Sequence, residues 1–155
     1  MTGRTEGSRS ATDLRVGLVI SRFNEAVTLA MEEAARSTLV RAGVADDRIE
    51  THYVPGAWEL PLCVSWLLDR GGLDGVVALG CVIRGETPHF EYVCLGATTG
   101  LESVAREFGI PVGFGLLTTD TADQARARSG GARGNKGEEA ALAVLEMCEI
   151  AASIR

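Results

Sequence analysis

The feature that most constrains the fold is an apolar run of nine residues, GVVALGCVI, from Gly75 to Ile83. The run shows no alternation of apolar and polar residues, so a strand formed here would have no polar face to expose to water. Strands covered on both faces are typical of parallel sheets, whose connecting helices pack against the two faces. The sequence therefore predicts a buried central strand of an α/β domain at residues 75–83.

Strand and helix patterns alternate along the rest of the chain. Short β-rich runs predict three more strands, whereas apolar residues at helical spacing predict five helices. Helices that connect strands in this order require parallel strands and right-handed crossovers. We expect a three-layer α/β/α sandwich of the flavodoxin-like kind around a four-stranded parallel sheet. The expected strands are 14–20, 49–54, 75–83 and 110–118. The expected helices are 27–42, 62–70, one that starts at Pro88 and keeps its apolar spacing over 93–108, 122–128 and 138–152.

Length and composition bound the class of protein. The chain has 155 residues, of which 46% are hydrophobic and 23% are charged. That length suits one domain, which we expect over 14–155 after a flexible tail over 1–13. A chain this apolar is expected to bury part of its surface against another chain. The formal net charge of −6 argues against nucleic-acid binding, which requires clustered basic residues.

The cysteine and histidine content argues against a bound metal. The four cysteines include no CxxC pair, and the chain has only two histidines. Zinc and haem sites use closer spacings, so we expect structural thiols and no metal. The first thirteen residues lack the apolar centre of a signal peptide, and no apolar run has the length of a membrane span. The default expectation is a cytoplasmic protein without membrane attachment.

Polar or unusual segments follow each of the four predicted strands. In open parallel sheets, ligands bind beyond the carboxyl ends of the strands, where loops and helix N-termini converge. We therefore expect these segments to form one site, although they are far apart in the sequence. They are SRFNE (21–25), PGAWELP (55–61), RGETPHFEY (84–92) and TTDTADQ (118–124).

The segment after the central strand has the pattern of a helix start. Thr87 is a candidate N-cap, Pro88 suits the first helical position, and His89 then lies in the first turn. Unpaired N–H groups of that turn, with Gly85 allowing close approach of the backbone, would suit an anion. The positive end of the helix dipole favours a neutral imidazole, which suits a proton acceptor. The alternative is an ordinary helix start with a solvated histidine.

Two other loops carry aromatic residues with more than one interpretation. Phe23 either stacks on a planar ligand or covers the core, and Trp58 with Glu59 either contacts a ligand or belongs to a helix start. The glycine-rich segment SGGARGNKG does not match a phosphate loop, because its lysine has neither the required preceding glycine nor a following Ser or Thr.

Taken together, these segments resemble the lumazine synthase family in order and spacing. The resemblance covers about 14–150. It implies condensation of 5-amino-6-(D-ribitylamino)uracil with L-3,4-dihydroxy-2-butanone 4-phosphate to give 6,7-dimethyl-8-ribityllumazine, the penultimate step of riboflavin biosynthesis, without cofactor or metal. The segments that carry it are SRFNE, PGAWELP, GCVIRGETPHFEYV, GFGLLTTDT, QARAR and GNKGEEAA.

The resemblance implies roles for individual residues. By it, His89 transfers protons, Phe23 stacks on the pyrimidine ring and Arg128 binds the phosphate. Two positions depart from the family pattern, since Trp58 stands where phenylalanine is common and Glu91 where aspartate is common. The implied substrate-binding set is Phe23, Asn24, Ala57, Trp58, Glu59, Val82, Ile83, Gly85, Glu86, Thr87, Phe114, Arg128 and Lys136.

The resemblance also implies a homo-oligomer. A ring of five chains is expected, with Phe114 and Lys136 reaching each site from the neighbouring chain. The segment SGGARGNKG carries no insertion relative to family members that pack twelve rings into an icosahedral 60-mer, so that assembly is compatible with the sequence. The resemblance further implies an association with riboflavin synthase.

Two other functions stay open on the residues alone. A carrier of a flavin or a ribitylated pterin would keep the aromatic contacts without turnover, and a shell protein would need only assembly. His89 and Arg128 favour the enzyme, because a carrier needs neither a proton shuttle nor a pocket for a leaving phosphate.

Overall fold

Four parallel strands form the central sheet of the protein, in the order 49–54, 16–21, 75–83 and 112–119 from one edge to the other. The computed structural model describes residues 10–155. The strands are β1 Val16–Ser21, β2 Ile49–Val54, β3 Gly75–Ile83 and β4 Val112–Thr119, and the helices are α1 Glu25–Ala42, α2 Leu60–Arg70, α3 His89–Phe108, α4 Ala122–Ala127 and α5 Lys136–Ile154. A small hairpin of β5 Ser129–Gly131 and β6 Gly134–Asn135 lies between α4 and α5.

Helices cover both faces of this sheet. On one face, α1 and α5 pack together through buried residues such as Met31 and Val144. On the other face, α2 and α3 contribute Leu60, Val64 and Leu101 to a second core. The predicted three-layer α/β/α sandwich with a four-stranded parallel sheet is thus confirmed.

The central position of β3 explains its uninterrupted apolar sequence. It pairs with β1 on one side and β4 on the other, and its residues from Gly75 to Cys81 are all buried. By contrast, β2 is an edge strand with four half-buried or exposed residues between its buried ends, which accounts for polar residues such as His52 within it. Because β3 leads straight into the segment that begins at Arg84, that segment starts from a rigid base.

Local sequence signals explain several helix ends. Gly43 has a φ of 114° after α1, and its N–H donates to the carbonyls of Leu39 and Val40, as expected of a glycine cap. Thr121 and Gln124 form a reciprocal capping box at the start of α4. Asn135 Oδ1 accepts from the N–H of Gly137 at 2.8 Å, and this cap starts α5 two residues earlier than the apolar spacing predicts.

Other boundaries also differ from the predicted ones. Helix α2 begins at Leu60, because Pro61 can occupy the first turn of a helix. Strand β1 begins at Val16, and α4 ends at Ala127. Of the predicted tail, residues 1–9 lie outside the described residues, while Ala11–Asp13 form a single 3-10 turn.

All four cysteines of the chain lie among residues 10–155, the part that the structure describes. Cys63, Cys81 and Cys94 are free thiols, and Cys148 Sγ donates to Asp74 O at 3.4 Å. Burial raises the pKa of the Cys81 thiol to about 11, so this residue is a poor nucleophile at neutral pH. Across residues 10–155, no helix is long and apolar enough to cross a bilayer.

Candidate active site

Hydrogen bonds join the loops that follow the first three strands. The N–H of Arg22 donates to Val54 O at 2.8 Å, and that of Phe23 donates to Pro55 O at 3.2 Å. Asn24 has a left-handed backbone with a φ of 62°, and its Nδ2 donates to Cys81 O at 2.9 Å. The loop after β1 is therefore tied both to the end of β2 and to β3.

A cavity of about 690 Å³ opens where these loops meet. Nine of the predicted site residues line it, namely Phe23, Ala57, Trp58, Glu59, Val82, Ile83, Gly85, Thr87 and His89. Its other lining residues are Gly56, Cys81, Phe90, Tyr92 and Val93. The side chains of Phe23 and Trp58 are 72% and 59% exposed, so both rings offer large apolar surfaces to a bound molecule.

Further residues that line this cavity were not predicted from the sequence, and each lies close in the chain to a predicted one. Phe90, Tyr92 and Val93 follow His89 in the first two turns of α3, and Cys81 precedes Val82 in β3. Helical spacing from His89 would have identified Val93, which lies one turn further along the same face. Cys81 and Phe90 are buried, and nothing in the sequence distinguishes them from ordinary core residues.

The start of α3 presents His89 to the cavity. Helix α3 begins at His89, although the preceding Pro88 already has near-helical dihedral angles of −64° and −2°. Thr87 Oγ1 accepts a hydrogen bond from the backbone N–H of His89 at 3.4 Å. Pro88 O accepts one from the N–H of Glu91 at 3.0 Å, which closes the first turn. The N-cap of α3 is thus Pro88 and not the predicted Thr87, and the exposed imidazole projects from the first residue of the helix.

Arg84 fixes this helix start to the ends of two strands. Its guanidinium bonds to the carboxylate of Glu91, donates from Nε to Asp120 Oδ1 at 2.7 Å, and lies 4.4 Å from the centre of the Phe90 ring. Arg84 lowers the pKa of the Glu91 carboxyl below its ordinary value, because it hydrogen-bonds the charged form. In the region described, Glu91 therefore pairs with Arg84 and makes no hydrogen bond to His89.

The remaining basic and aromatic site residues lie elsewhere on the chain. Phe114, Arg128 and Lys136 line a second cavity of about 450 Å³, together with Arg133 and Glu139. The backbone N–H of Lys136 donates to Arg128 O at 2.9 Å across the β5–β6 hairpin, so this hairpin brings the two basic residues together. The two cavities have no lining residue in common.

Two predicted residues line neither cavity. Asn24 lies behind the first cavity with its amide nitrogen bonded to Cys81 O. Glu86 is exposed in the segment between β3 and α3. The single chain thus brings together the residues that follow β1, β2 and β3, and it leaves the Arg128 group apart.

Comparison with known proteins shows the family of the chain. The model of the 6,7-dimethyl-8-ribityllumazine synthase family matches residues 13–152. The chain belongs to that family. A 6,7-dimethyl-8-ribityllumazine synthase of Gemmatimonas aurantiaca is 52% identical over 136 residues, which are 88% of this chain and 83% of that relative. The family resemblance inferred from the strand-end segments is therefore confirmed, and family membership identifies an enzyme of riboflavin biosynthesis.

As a 6,7-dimethyl-8-ribityllumazine synthase family member, the chain carries its first cavity at the carboxyl edge of the sheet. That edge is where ligands bind in open α/β sheets. The groups present there are aromatic rings, backbone N–H and C=O groups, the hydroxyls of Thr87 and Tyr92, the thiol of Cys81, one carboxylate and one imidazole. No cluster of three or more metal-ligating side chains occurs among residues 10–155.

Proposed function

We propose that the protein condenses 5-amino-6-(D-ribitylamino)uracil with L-3,4-dihydroxy-2-butanone 4-phosphate, forming 6,7-dimethyl-8-ribityllumazine, phosphate and water in the penultimate step of riboflavin biosynthesis. The observation that carries the proposal is the single cavity lined by Phe23, Trp58, Glu59 and His89. These residues follow three different strands, and their chemistry matches a planar ring, a chain of hydroxyls and a proton transfer.

The uracil substrate is held by the residues that follow β1 and β2 and by the end of β3. The exposed ring of Phe23 stacks on the pyrimidine, and backbone groups of Val82 and Ile83 bond to its edge. Glu59 accepts hydrogen bonds from ribityl hydroxyls. Asn24 helps hold the same chain indirectly, because its Nδ2 bonds Cys81 O and so fixes the loop that carries Phe23.

His89 acts as the proton-transfer group. Condensation of the substrate amine with the ketone releases one water, and phosphate leaves after a proton is removed from carbon. Ring closure of the second amine onto the new carbonyl releases a second water, so protons must leave carbon and nitrogen and reach oxygen. An exposed imidazole in the first turn of α3 is placed for these transfers. Gly85, Glu86 and Thr87 form the neighbouring segment on the phosphate side, where Gly85 leaves open space for the backbone to approach the ligand.

A neighbouring chain completes each site. Arg128 and Lys136 supply the positive charge that a phosphate needs, yet they line a separate cavity in their own chain. Two copies that join the first cavity of one to the second cavity of the other would bring His89 beside Arg128. We propose a cytoplasmic homopentamer with five such interfaces and no cofactor. The pentamer acts either alone or as one of twelve pentamers in a 60-mer. Riboflavin synthase is a further partner in this proposal.

The deciding experiment is direct. Purified protein is mixed with both substrates, and lumazine formation is followed by its absorbance, with either substrate omitted as control. Product formation that needs both substrates and proceeds after treatment with a chelator supports the proposal. Tight binding of the lumazine without turnover would instead identify a carrier and overturn it.

A further inference from the structure

A contact between Trp58 and Gly96 shapes one wall of the first cavity. Trp58 lies in the 3-10 turn Ala57–Glu59, and Gly96 lies in the second turn of α3. His89, Val93 and Gly96 are separated by four and three residues, so they share one face of the helix. The first two line the cavity, and Gly96 continues their row to where the indole rests.

The indole occupies the space that any side chain at position 96 would need. A Cβ built on Gly96 would lie 2.2 Å from Cζ3, 2.9 Å from Cε3 and 3.1 Å from Cη2 of Trp58. Carbon atoms in contact are ordinarily about 3.5–4.0 Å apart. The benzene edge of the ring therefore packs directly on the backbone of α3, and even alanine at position 96 would displace it.

The surroundings of the ring let it move when it is displaced. Trp58 is 59% exposed, so no buried core holds it from the outside. Neighbouring Ala57 is buried and anchors the turn, whereas the side of the ring that faces away from Gly96 is exposed and leaves room for a shift. A shift of the ring would alter the cavity wall without unfolding the turn.

We propose that Gly96 is a positioning residue that sets the Trp58 ring and thereby the fit of the uracil substrate. The kinetic part of this inference rests on the proposed function. A phenylalanine ring is smaller than an indole, so a tryptophan at position 58 needs extra room that a glycine at position 96 supplies. In this chain the indole of Trp58 and a side chain at position 96 would compete for the same space.

The first test reads the ring directly and needs no activity. The chain has two tryptophans, so Trp66→Phe leaves Trp58 as the only indole. In that background, Gly96→Ala should shift the emission of Trp58 and change its quenching by acrylamide. The matched control is Gly100→Ala on the same helix, where a Cβ would meet Pro61 Cβ and Cγ at 2.7 Å instead of an indole. The control should leave the Trp58 emission unchanged.

The second test separates binding from turnover. Gly96→Ala should raise KM for the uracil substrate between about 10-fold and 100-fold, as expected for a misplaced contact surface, and leave KM for the butanone phosphate unchanged. The double variant Trp58→Phe/Gly96→Ala should return to the KM of Trp58→Phe, because the smaller ring clears the new methyl group. Gly100→Ala should show neither the selective rise nor the rescue.

Three results would overturn the inference. They are an unchanged Trp58 emission in Gly96→Ala, an equal kinetic effect of Gly100→Ala, and a failure of Trp58→Phe to rescue. If the wild-type protein formed no lumazine, the proposed function would fail, and the fluorescence measurement would still decide whether Gly96 sets the ring.

Discussion

At the scale of single residues, His89 is the side chain on which the proposed chemistry most depends. It is exposed beside the first cavity, and the backbone around it is fixed by Thr87 and Pro88. We expect His89→Ala to lower kcat by roughly 10²- to 10⁴-fold, the usual contribution of a general acid or base. Some activity should remain, because alignment of the two substrates also accelerates the reaction. The measurement is kcat with both substrates saturating.

The other histidine provides the control for that variant. His52 lies within β2, where its Nε2 is 2.5 Å from Glu50 Oε2, and it lines neither cavity. His52→Ala should keep the wild-type kcat. A His89→Ala enzyme as fast as His52→Ala at every pH would remove His89 from the mechanism.

Glu50 gives a prediction about stability and pH. Its carboxylate accepts hydrogen bonds from Arg70 at 2.9 and 3.0 Å and contacts His52, and these bonds, those of Arg70 first, lower its pKa below the ordinary value. Because the folded-state pKa is the depressed one, this stabilisation is fully present above the unfolded-state pKa of about 4.3. It is lost as the pH falls through the folded-state pKa.

The corresponding experiment is urea unfolding of the wild type and Glu50→Gln between neutral and strongly acidic pH. The variant should be slightly less stable than the wild type at pH 7, since solvent screens a pair with this exposure. The difference should shrink as the medium becomes acidic. A gap that widens on acidification would contradict the assigned role of the Arg70–Glu50 pair.

At the scale of elements, the close approach of α1 and α5 depends on Gly137. This glycine lies in the first turn of α5, and a Cβ there would be 2.1 Å from the carbonyl oxygen of Met31 in α1. Backbone cannot yield as a flexible side chain does, so Gly137→Ala must push the helices apart. We expect a loss of roughly 1–3 kcal/mol in the free energy of unfolding, or failure to fold.

Urea unfolding with Glu146→Ala as control tests this expectation. Glu146 is exposed on the same helix, so its replacement by alanine should change stability little. Alanine is also the better helix former. A Gly137→Ala protein as stable as Glu146→Ala would show that α5 can shift without cost.

The element boundaries show what a sequence pattern can and cannot predict. The strands at 49–54 and 75–83 were predicted with their observed bounds. The edge strand at 49–54 mixes polar and apolar residues, and the central strand at 75–83 is apolar throughout, as their positions in the sheet require. Gly43 was predicted as the end of α1 from its residue type alone. Local signals of this kind depend on neighbours in the chain, which the sequence displays directly.

Contacts between distant segments were beyond that reach. The β5–β6 hairpin, the bond from Asn24 to Cys81 O and the packing of Trp58 on Gly96 each depend on how elements meet in space. The sequence predicted that four loops form one site at one edge of the sheet. The first three line the first cavity, whereas Thr118 and Thr119 of the fourth line the second, so this prediction was wrong for the fourth loop. The sequence did not predict which helix residue would receive the indole, since a glycine within a helix carries no sign of its partner.

At the scale of the whole molecule, large apolar side chains remain uncovered. Leu62 and Trp66 on α2 and Tyr92 and Leu95 on α3 are all more than half exposed. Exposed apolar residues gathered on adjacent elements indicate a surface that another molecule covers. Helix α3 also carries His89, so a partner on this surface would lie next to the first cavity.

A site shared between chains makes two defective variants able to restore each other. Phe23→Ala damages only the first cavity and Arg128→Ala only the second, because the two cavities have no residue in common. Each variant alone should be nearly inactive. Equal amounts of the two variants are unfolded together and refolded. At any interface, the chain that supplies the first cavity then has an intact Phe23 in half of the cases, and the chain that supplies the second cavity has an intact Arg128 in half of the cases. Random assembly should then leave roughly a quarter of the interfaces with both halves intact, and activity should return to about that fraction of the wild-type value.

The same variants refolded separately and mixed afterwards form the control, which should stay inactive as long as assembled chains do not exchange. Light scattering on the refolded samples checks that all of them reach the same assembly size. A site built within one chain predicts a different result, because no chain in the mixture carries both Phe23 and Arg128. The jointly refolded sample would then be as inactive as its parents, and the interface between copies would have no part in binding the phosphate.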